Sequence, residues 1–365
     1  MLTHLVMTFR PRLETFALFA TLLAACSDGG PDQATATTST CPAKTGTTTL
    51  PTFGGSGSSG TAIEEVTSFG ANPGGLKMYV HAPADKAPKA IVLALHGCTQ
   101  SAAAYVSTGW NELADREGLV IVYGEQTMQN DPTSCFRWWV PEQIGRGGEA
   151  ESLANMVAAA HAKYGTKRAF VTGLSAGAAM TAVMLAAYPE VFEAGAIMSG
   201  LPYKCATSQI DAFSCMSGKT ESADAWGALV PKSGAPAPRV SIWQGDADYT
   251  VRPANRVELV KQWTKVNGIS DTPSDTTTVG PATHYVHRDT SGTARVESWL
   301  VKGMPHGVAL DPKSGCGTAA AYELDVGVCS TMQAASFFLG TLSSETGTGD
   351  SPGAAATPVG ADPCH

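Results

Sequence analysis

The chain has no run of basic residues, no closely spaced Cys-x-x-Cys pair, no internal repeat and no apolar stretch long enough to cross a bilayer. Each absence removes a class of function. Nucleic-acid partners need clustered cations that neutralise phosphate, whereas 24 Lys and Arg stand here against 32 Asp and Glu. Removing the first 25 residues, with Arg10, Arg12 and Glu14, leaves 22 basic against 31 acidic residues, a net charge of −9. Structural zinc sites need cysteines at short spacing, so no metal is expected. The missing repeat excludes a stacked array. The apolar run near the start, "TFALFATLLAA" behind Arg10 and Arg12, is too short for a stable membrane span and reads as an export signal.

That signal ends in "LLAAC", which resembles the lipobox of bacterial lipoproteins, where the chain is cut before a cysteine that takes up lipid. Cys26 is therefore the expected lipid-attachment site, with plain secretion after a nearby cut as the alternative. Ser27 stands where an aspartate would favour inner-membrane retention, so the expected location is the outer membrane or cell surface. Eight cysteines remain after Cys26, an even number that suits disulfides in an exported protein. Local closure favours Cys205 with Cys215 and Cys316 with Cys329, which leaves Cys98 for Cys135 and Cys41 for Cys364.

Composition divides the chain into a signal at 1–25, a Thr/Ser/Gly-rich tether at 26–60, one folded unit at 61–342 and a tail at 343–365. With 43% hydrophobic residues the chain can build one substantial core. Within the central unit, apolar runs such as "AIVLALHG", "LVIVYGE", "RAFVTG", "AGAIMSG" and "VSIWQGDAD" alternate with helical patterns, including "WNELADREG" closed by Gly118 and "GEAESLANMVAAAHAKYG" closed by Gly165. Buried strands alternating with helices predict an α/β fold, a mostly parallel sheet covered on both faces.

Against that background "VTGLSAGAAM" is a strand, a turn and a helix start. A G-x-S-x-G elbow needs this arrangement: glycines two before and two after leave room for a strained turn that lifts the Ser175 hydroxyl off the sheet edge. The same glycines would serve a tight corner with no chemistry, so the serine needs partners. Of the histidines after it, His284 and His287 lie three apart in a strand, on opposite faces, and are expected at the surface; His365 is in the tail. His306, in the glycine-bounded loop "VKGMPHGV", is the candidate base. The loop "WQGDADYTV" offers Asp246 and Asp248 as the orienting acid, and position alone does not choose between them. Oxyanion donors are expected from the amides of Ala176, after the nucleophile, and Cys98, after "LALHG"; His96 is expected to brace that loop by hydrogen bonding. Tyr105, Trp138 and Trp139 are candidates for an apolar acyl cleft, with core packing as the alternative.

The segments "LALHGCTQSAAAY", "GWNELADREGLVIVYGEQ", "CFRWWVPEQIGRGGEAESLANMV", "VTGLSAGAAMTAVMLAAYPEVFEAGAIMSGLPYKCA", "IWQGDADYTV" and "GMPHG" together resemble the poly(3-hydroxybutyrate) depolymerase family of esterases, which includes feruloyl-esterase-like members. The likeness covers about residues 65–340. It implies an α/β-hydrolase fold and a Ser-Asp-His triad working through an acyl-enzyme without a cofactor. It also implies that the carboxylate falls three residues after Gly245, at Asp248, and that Cys98 is an oxyanion donor. Ala178, where the family usually has glycine, Pro305 before the histidine, and the extra Asp246 are the departures. The implied substrate is a poly(3-hydroxybutyrate)-type polyester or its oligomers; a feruloyl or acetyl esterase acting on plant polysaccharide is the alternative. Many polymer depolymerases carry a separate polymer-binding domain after a linker, and no such module is read in this sequence, so soluble oligomers or amorphous polymer are expected to suit it better than crystalline granules.

Overall fold

The computed structural model describes residues 62–340 and 342. The signal, Cys26, the tether, the Cys41–Cys364 pair and the tail all lie outside these residues. The elements run β1 (Glu64–Val66), β2 (Lys77–His81), β3 (Ala90–Leu95), α1 (Ala102–Tyr105), α2 (Trp110–Glu117), β4 (Leu119–Glu125), α3 (Gly148–Tyr164), β5 (Ala169–Leu174), α4 (Ala176–Ala187), β6 (Ala194–Met198), α5 (Gln209–Met216), α6 (Ala223–Ala228), β7 (Arg239–Gly245), α7 (Ala254–Val266), β8 (Asp275–Val279), β9 (Ala282–Arg288), β10 (Ala294–Val301), β11 (Val308–Leu310), β12 (Glu323–Asp325) and α8 (Ser330–Leu339).

Among the described residues, ten strands form one sheet in the order β1-β2-β4-β3-β5-β6-β7-β10-β9-β8. The block from β4 to β10 is parallel, and antiparallel strands extend it at both edges. This is the α/β-hydrolase architecture. The period of two along a strand explains why β3 is apolar throughout: Ile91, Leu93 and Leu95 enter one core, while Ala90, Val92 and Ala94 enter the other. Helices α3, α4 and α7 cover the first face; α2 and α8 cover the second, where Phe338 stacks on Phe170 at 4.8 Å and Trp110 lies 6.2 Å from Phe338. Every residue of α4 is buried, so the helix behind Ser175 is a fixed element of the core. Gly118 and Gly165 close α2 and α3 in the left-handed conformation, at φ 73° and 69°.

Disulfides join Cys98 to Cys135, Cys205 to Cys215 and Cys316 to Cys329, the three pairings expected within this region. No helix among the described residues is long and apolar enough to cross a membrane.

Two expectations fail. His287 is buried with its Nδ1 3.3 Å from the Ser270 carbonyl, and His284 is mostly buried, stacked on Trp299 at 3.7 Å and bonded through Nε2 to Glu297 at 2.9 Å. Neither is a surface residue, because β9 is an interior strand between β10 and β8. Strand β8, "DTTTV", is exposed at every position and carries no apolar alternation to announce it.

Candidate active site

Ser175 sits between β5 and α4 with φ 57° and ψ −117°, a conformation costly for any residue with a Cβ. The surrounding backbone leaves no slack. A Cβ on Gly173 would lie 2.5 Å from the Gly177 carbonyl, and one on Gly177 would lie 2.3 Å from the Leu95 carbonyl oxygen. Both glycines are thus required by close approach of the elbow to the end of β3. The turn is further pinned from β6, where the Met198 carbonyl accepts the Ser175 N–H at 3.0 Å.

The residue just after β6 reaches the histidine loop, since the Ser199 hydroxyl donates to the Gly307 carbonyl at 3.4 Å. Ser175 and His306 therefore both lie against the 198–199 step at the carboxyl end of the parallel block. His306 Nδ1 is 2.8 Å from Asp248 Oδ2, with the imidazole about one-tenth exposed and the carboxylate fully buried. Asp248 accepts three further hydrogen bonds: Gln244 Nε2 donates to Oδ2 at 2.9 Å, and the Thr250 and Val251 amides donate to Oδ1 at 2.9 Å each. Burial pushes the Asp248 carboxyl up; the His306 bond and charge, with the two amides, outweigh it and hold its pKa below the usual carboxylate range. Asp246 is occupied elsewhere, accepting the Gly303 N–H at the base of the histidine loop.

The loop after β3 also packs against the elbow, where a Cβ on Gly177 would lie 2.5 Å from the His96 carbonyl oxygen. The Gly97 amide donates to Gln100 Oε1 at 2.9 Å and the Thr99 amide to the Thr133 carbonyl at 2.7 Å. Among the described residues nothing accepts the Cys98 amide between them. Ala176 opens α4, where the first N–H groups have no intrahelical partner and the positive end of the helix dipole favours negative charge. His96 braces the loop: Nδ1 bonds the Gly97 carbonyl at 2.7 Å, Nε2 accepts the Gln126 amide at 3.1 Å, and burial lowers its pKa. Gln126 in turn donates to the buried Glu149, which also receives the Arg137 amide and guanidinium.

Tyr105 is a correction. It lies 1% exposed on the short helix α1, in the core with Trp110 and Tyr123, and lines no open cleft. Trp138 is 5% exposed and joins the core of the opposite face; Trp139 is half-buried beside it, the two rings edge-on at 5.4 Å. Three features escaped sequence reasoning: Gln244 on the acid, the Gln126–Glu149 brace, and Tyr322, whose ring meets that of His306 edge-on at 6.2 Å. None carries a local motif. Among the described residues, however, the non-glycine ones at positive φ are Thr99, Ser134, Ser175, Ser199, Lys204 and Tyr322, and four of them sit in the segments just described. Among the described residues no group of three His, Cys, Asp or Glu side chains could hold a metal ion.

Residues 76–283 match the family model described as esterase PHB depolymerase. The chain is 46% identical over 295 residues to poly(3-hydroxyalkanoate) depolymerase C of Paucimonas lemoignei, covering 78% of this chain and 71% of that protein. It is 37% identical to the probable acetylxylan esterase A of Neosartorya fischeri, covering 61% of this chain and 65% of the relative. It is 32% identical to feruloyl esterase B of Talaromyces stipitatus, with 68% and 73% covered. Among solved structures, an acetyl xylan esterase from Aspergillus awamori superposes with a TM-score of 0.61 at 27% identity, covering 67% of this chain and 94% of that one.

Proposed function

The chain belongs to the PHB depolymerase family of esterases and is a carboxylic ester hydrolase, and from that premise we propose that it cleaves its ester through Ser175, His306 and Asp248. The carrying observation is the 2.8 Å bond from the histidine to a buried carboxylate, in a loop fastened to the same strand end as the serine elbow. His306 Nδ1–H donates to Asp248, which fixes the tautomer and leaves Nε2 to take the proton from Ser175. The serine oxygen attacks the ester carbonyl, and the developing oxyanion receives the Cys98 and Ala176 amides. His306 then returns its proton to the leaving alcohol. Water, deprotonated by the same imidazole, releases the acid from the acyl-enzyme.

The substrate we propose is a 3-hydroxyalkanoate polyester or oligoester, supported by the 46% identity to a depolymerase. The acetylxylan and feruloyl relatives support a second reading, an esterase of plant polysaccharide. Purified protein assayed on 3-hydroxybutyrate oligomers, acetylated xylan and methyl ferulate separates them: the first reading requires the highest kcat/KM on the oligomers. Ser175→Ala must abolish turnover of whichever ester is preferred. The three disulfides support export to an oxidising compartment. Anchoring through a lipid on Cys26 is the corresponding proposal for location, tested by the mass of the mature N-terminal peptide.

A further inference from the structure

Gln100 and Glu323 form a link that the catalytic steps do not use. Gln100 ends the loop that carries Cys98: its Oε1 accepts the Gly97 amide at 2.9 Å, and its Nε2 donates to Glu323 Oε1 at 2.8 Å and lies 3.4 Å from the Ala321 carbonyl. Glu323, 2% exposed, opens β12 and pairs with Val308 of β11, two residues past His306. The preceding Tyr322 is held at φ 72°, and its carbonyl accepts the Val308 amide at 2.7 Å. That carbonyl presses on Gly307 so closely that a Cβ there would lie 2.5 Å from it. Two side chains from opposite ends of the domain thus connect the amide beside Cys98 to the backbone that seats residues 306–308.

We propose that Gln100 and Glu323 are positioning residues: their hydrogen bond fixes the distance between the oxyanion loop and the histidine loop, so that the Cys98 amide and the His306 imidazole address one carbonyl carbon. The inference rests on the roles given above to Cys98 and His306. The location of the pair supports it. Each loop has braces of its own, the first His96 and the Cys98–Cys135 disulfide, the second Asp246 and Asp248. Gln100–Glu323 is the side-chain bond that crosses between them. Burying a carboxylate is unfavourable, and plain packing would hold β12 without one, so an acceptor of defined direction is the property the site retains.

Misplacement of a catalytic group by about 1 Å costs about 100-fold in rate. Gln100→Ala and Glu323→Ala are expected to lower kcat on soluble p-nitrophenyl butyrate by about 10- to 100-fold with KM within about threefold, because the role proposed for each side chain is to position other groups and not to bind substrate. The double variant should be no slower than the slower single one, since both changes cut the same link. Glu323→Gln keeps an acceptor oxygen for Gln100 and should recover much of kcat. Gln100→Asn, one methylene too short to span the gap, serves where an alanine variant fails to fold, and should lose kcat as Gln100→Ala does. Folded Gln100→Asn and Glu323→Ala proteins with wild-type kcat would overturn the proposal, as would a double variant whose loss is the product of the single ones. Ser175→Ala is run alongside. If it turns over substrate, the catalytic reading itself falls; if it is dead while the Gln100 and Glu323 variants are unimpaired, only the positioning role falls.

Discussion

Replacing Asp248 by asparagine removes one charge and turns two hydrogen bonds into conflicts. Oδ1 accepts two backbone amides, from Thr250 and Val251, and Oδ2 accepts Gln244 Nε2 and His306 Nδ1. If the asparagine oxygen faces the amides, its NH2 points at the Gln244 NH2 and the His306 N–H; if it flips, the NH2 points at both backbone donors. In the first case His306 escapes by moving its proton to Nε2, which then cannot accept one from Ser175. The wrong tautomer is expected to lower kcat by about 10⁴-fold. With the tautomer switched, the Gln244 Nε2 donor is the one left unmatched, which should cost about 1–3 kcal/mol of stability. Initial rates on p-nitrophenyl butyrate and urea denaturation at neutral pH measure the two losses. Asp246→Asn is the control, since its side-chain oxygen can still accept the Gly303 amide and its kcat should stay within about tenfold of wild type. An Asp248→Asn enzyme that is equally active would refute the reasoning, and the reverse ranking would move the acid to Asp246.

Burial, opposed by the Gln100 bond, raises Glu323 from 4.5 to about 7. Between those values the folded chain holds a proton that the unfolded chain has released, so stability falls as pH rises from 4.5 through 7, by about 3 kcal/mol in all. Urea titrations at pH 5 and 8 should show this slope flattened in Glu323→Gln; an unchanged slope would assign it elsewhere. The Cys98–Cys135 bridge spans 37 residues, a closure that contributes about 4 kcal/mol. Cys135→Ser should lower Tm and also slow turnover by loosening the oxyanion loop, and wild-type kcat in a folded variant would contradict the second effect. Gly177→Ala places a Cβ 2.3 Å from the Leu95 oxygen and 2.5 Å from the His96 oxygen, so it should inactivate the enzyme even where it folds. Retained activity would mean that the elbow can yield.

The Asp246 and Asp248 pair marks where the sequence stops informing. Both follow the glycine that ends β7, and both are polar loop residues; what separates them is the direction in which the turn at 246–251 aims each carboxylate. Resemblance to a family chose Asp248 where the local pattern could not. Ser175 was legible as a candidate because strand, glycine-flanked turn and helix are consecutive, and His306 because the other histidines that follow Ser175 fall on strand β9 or in the tail. The sheet was legible wherever burial on both faces made its strands continuously apolar. Strand β8 and the short β11–β12 ladder were not, because exposed threonines and three-residue strands leave no periodic signal. Tyr105 was misplaced for a related reason: α1 has four residues, too few to show which face is buried. The Gln100–Glu323 contact joins residues 223 apart, and no short-range pattern announces it.

The central claim is that Ser175 forms the covalent acyl-enzyme. Intact-mass and peptide analysis after treatment with a fluorophosphonate tests it directly. The expected result is a single stoichiometric adduct on Ser175, with labelling abolished in Ser175→Ala and strongly slowed in His306→Ala. An adduct on another serine, or unlabelled protein that still hydrolyses its ester in excess reagent, would contradict it.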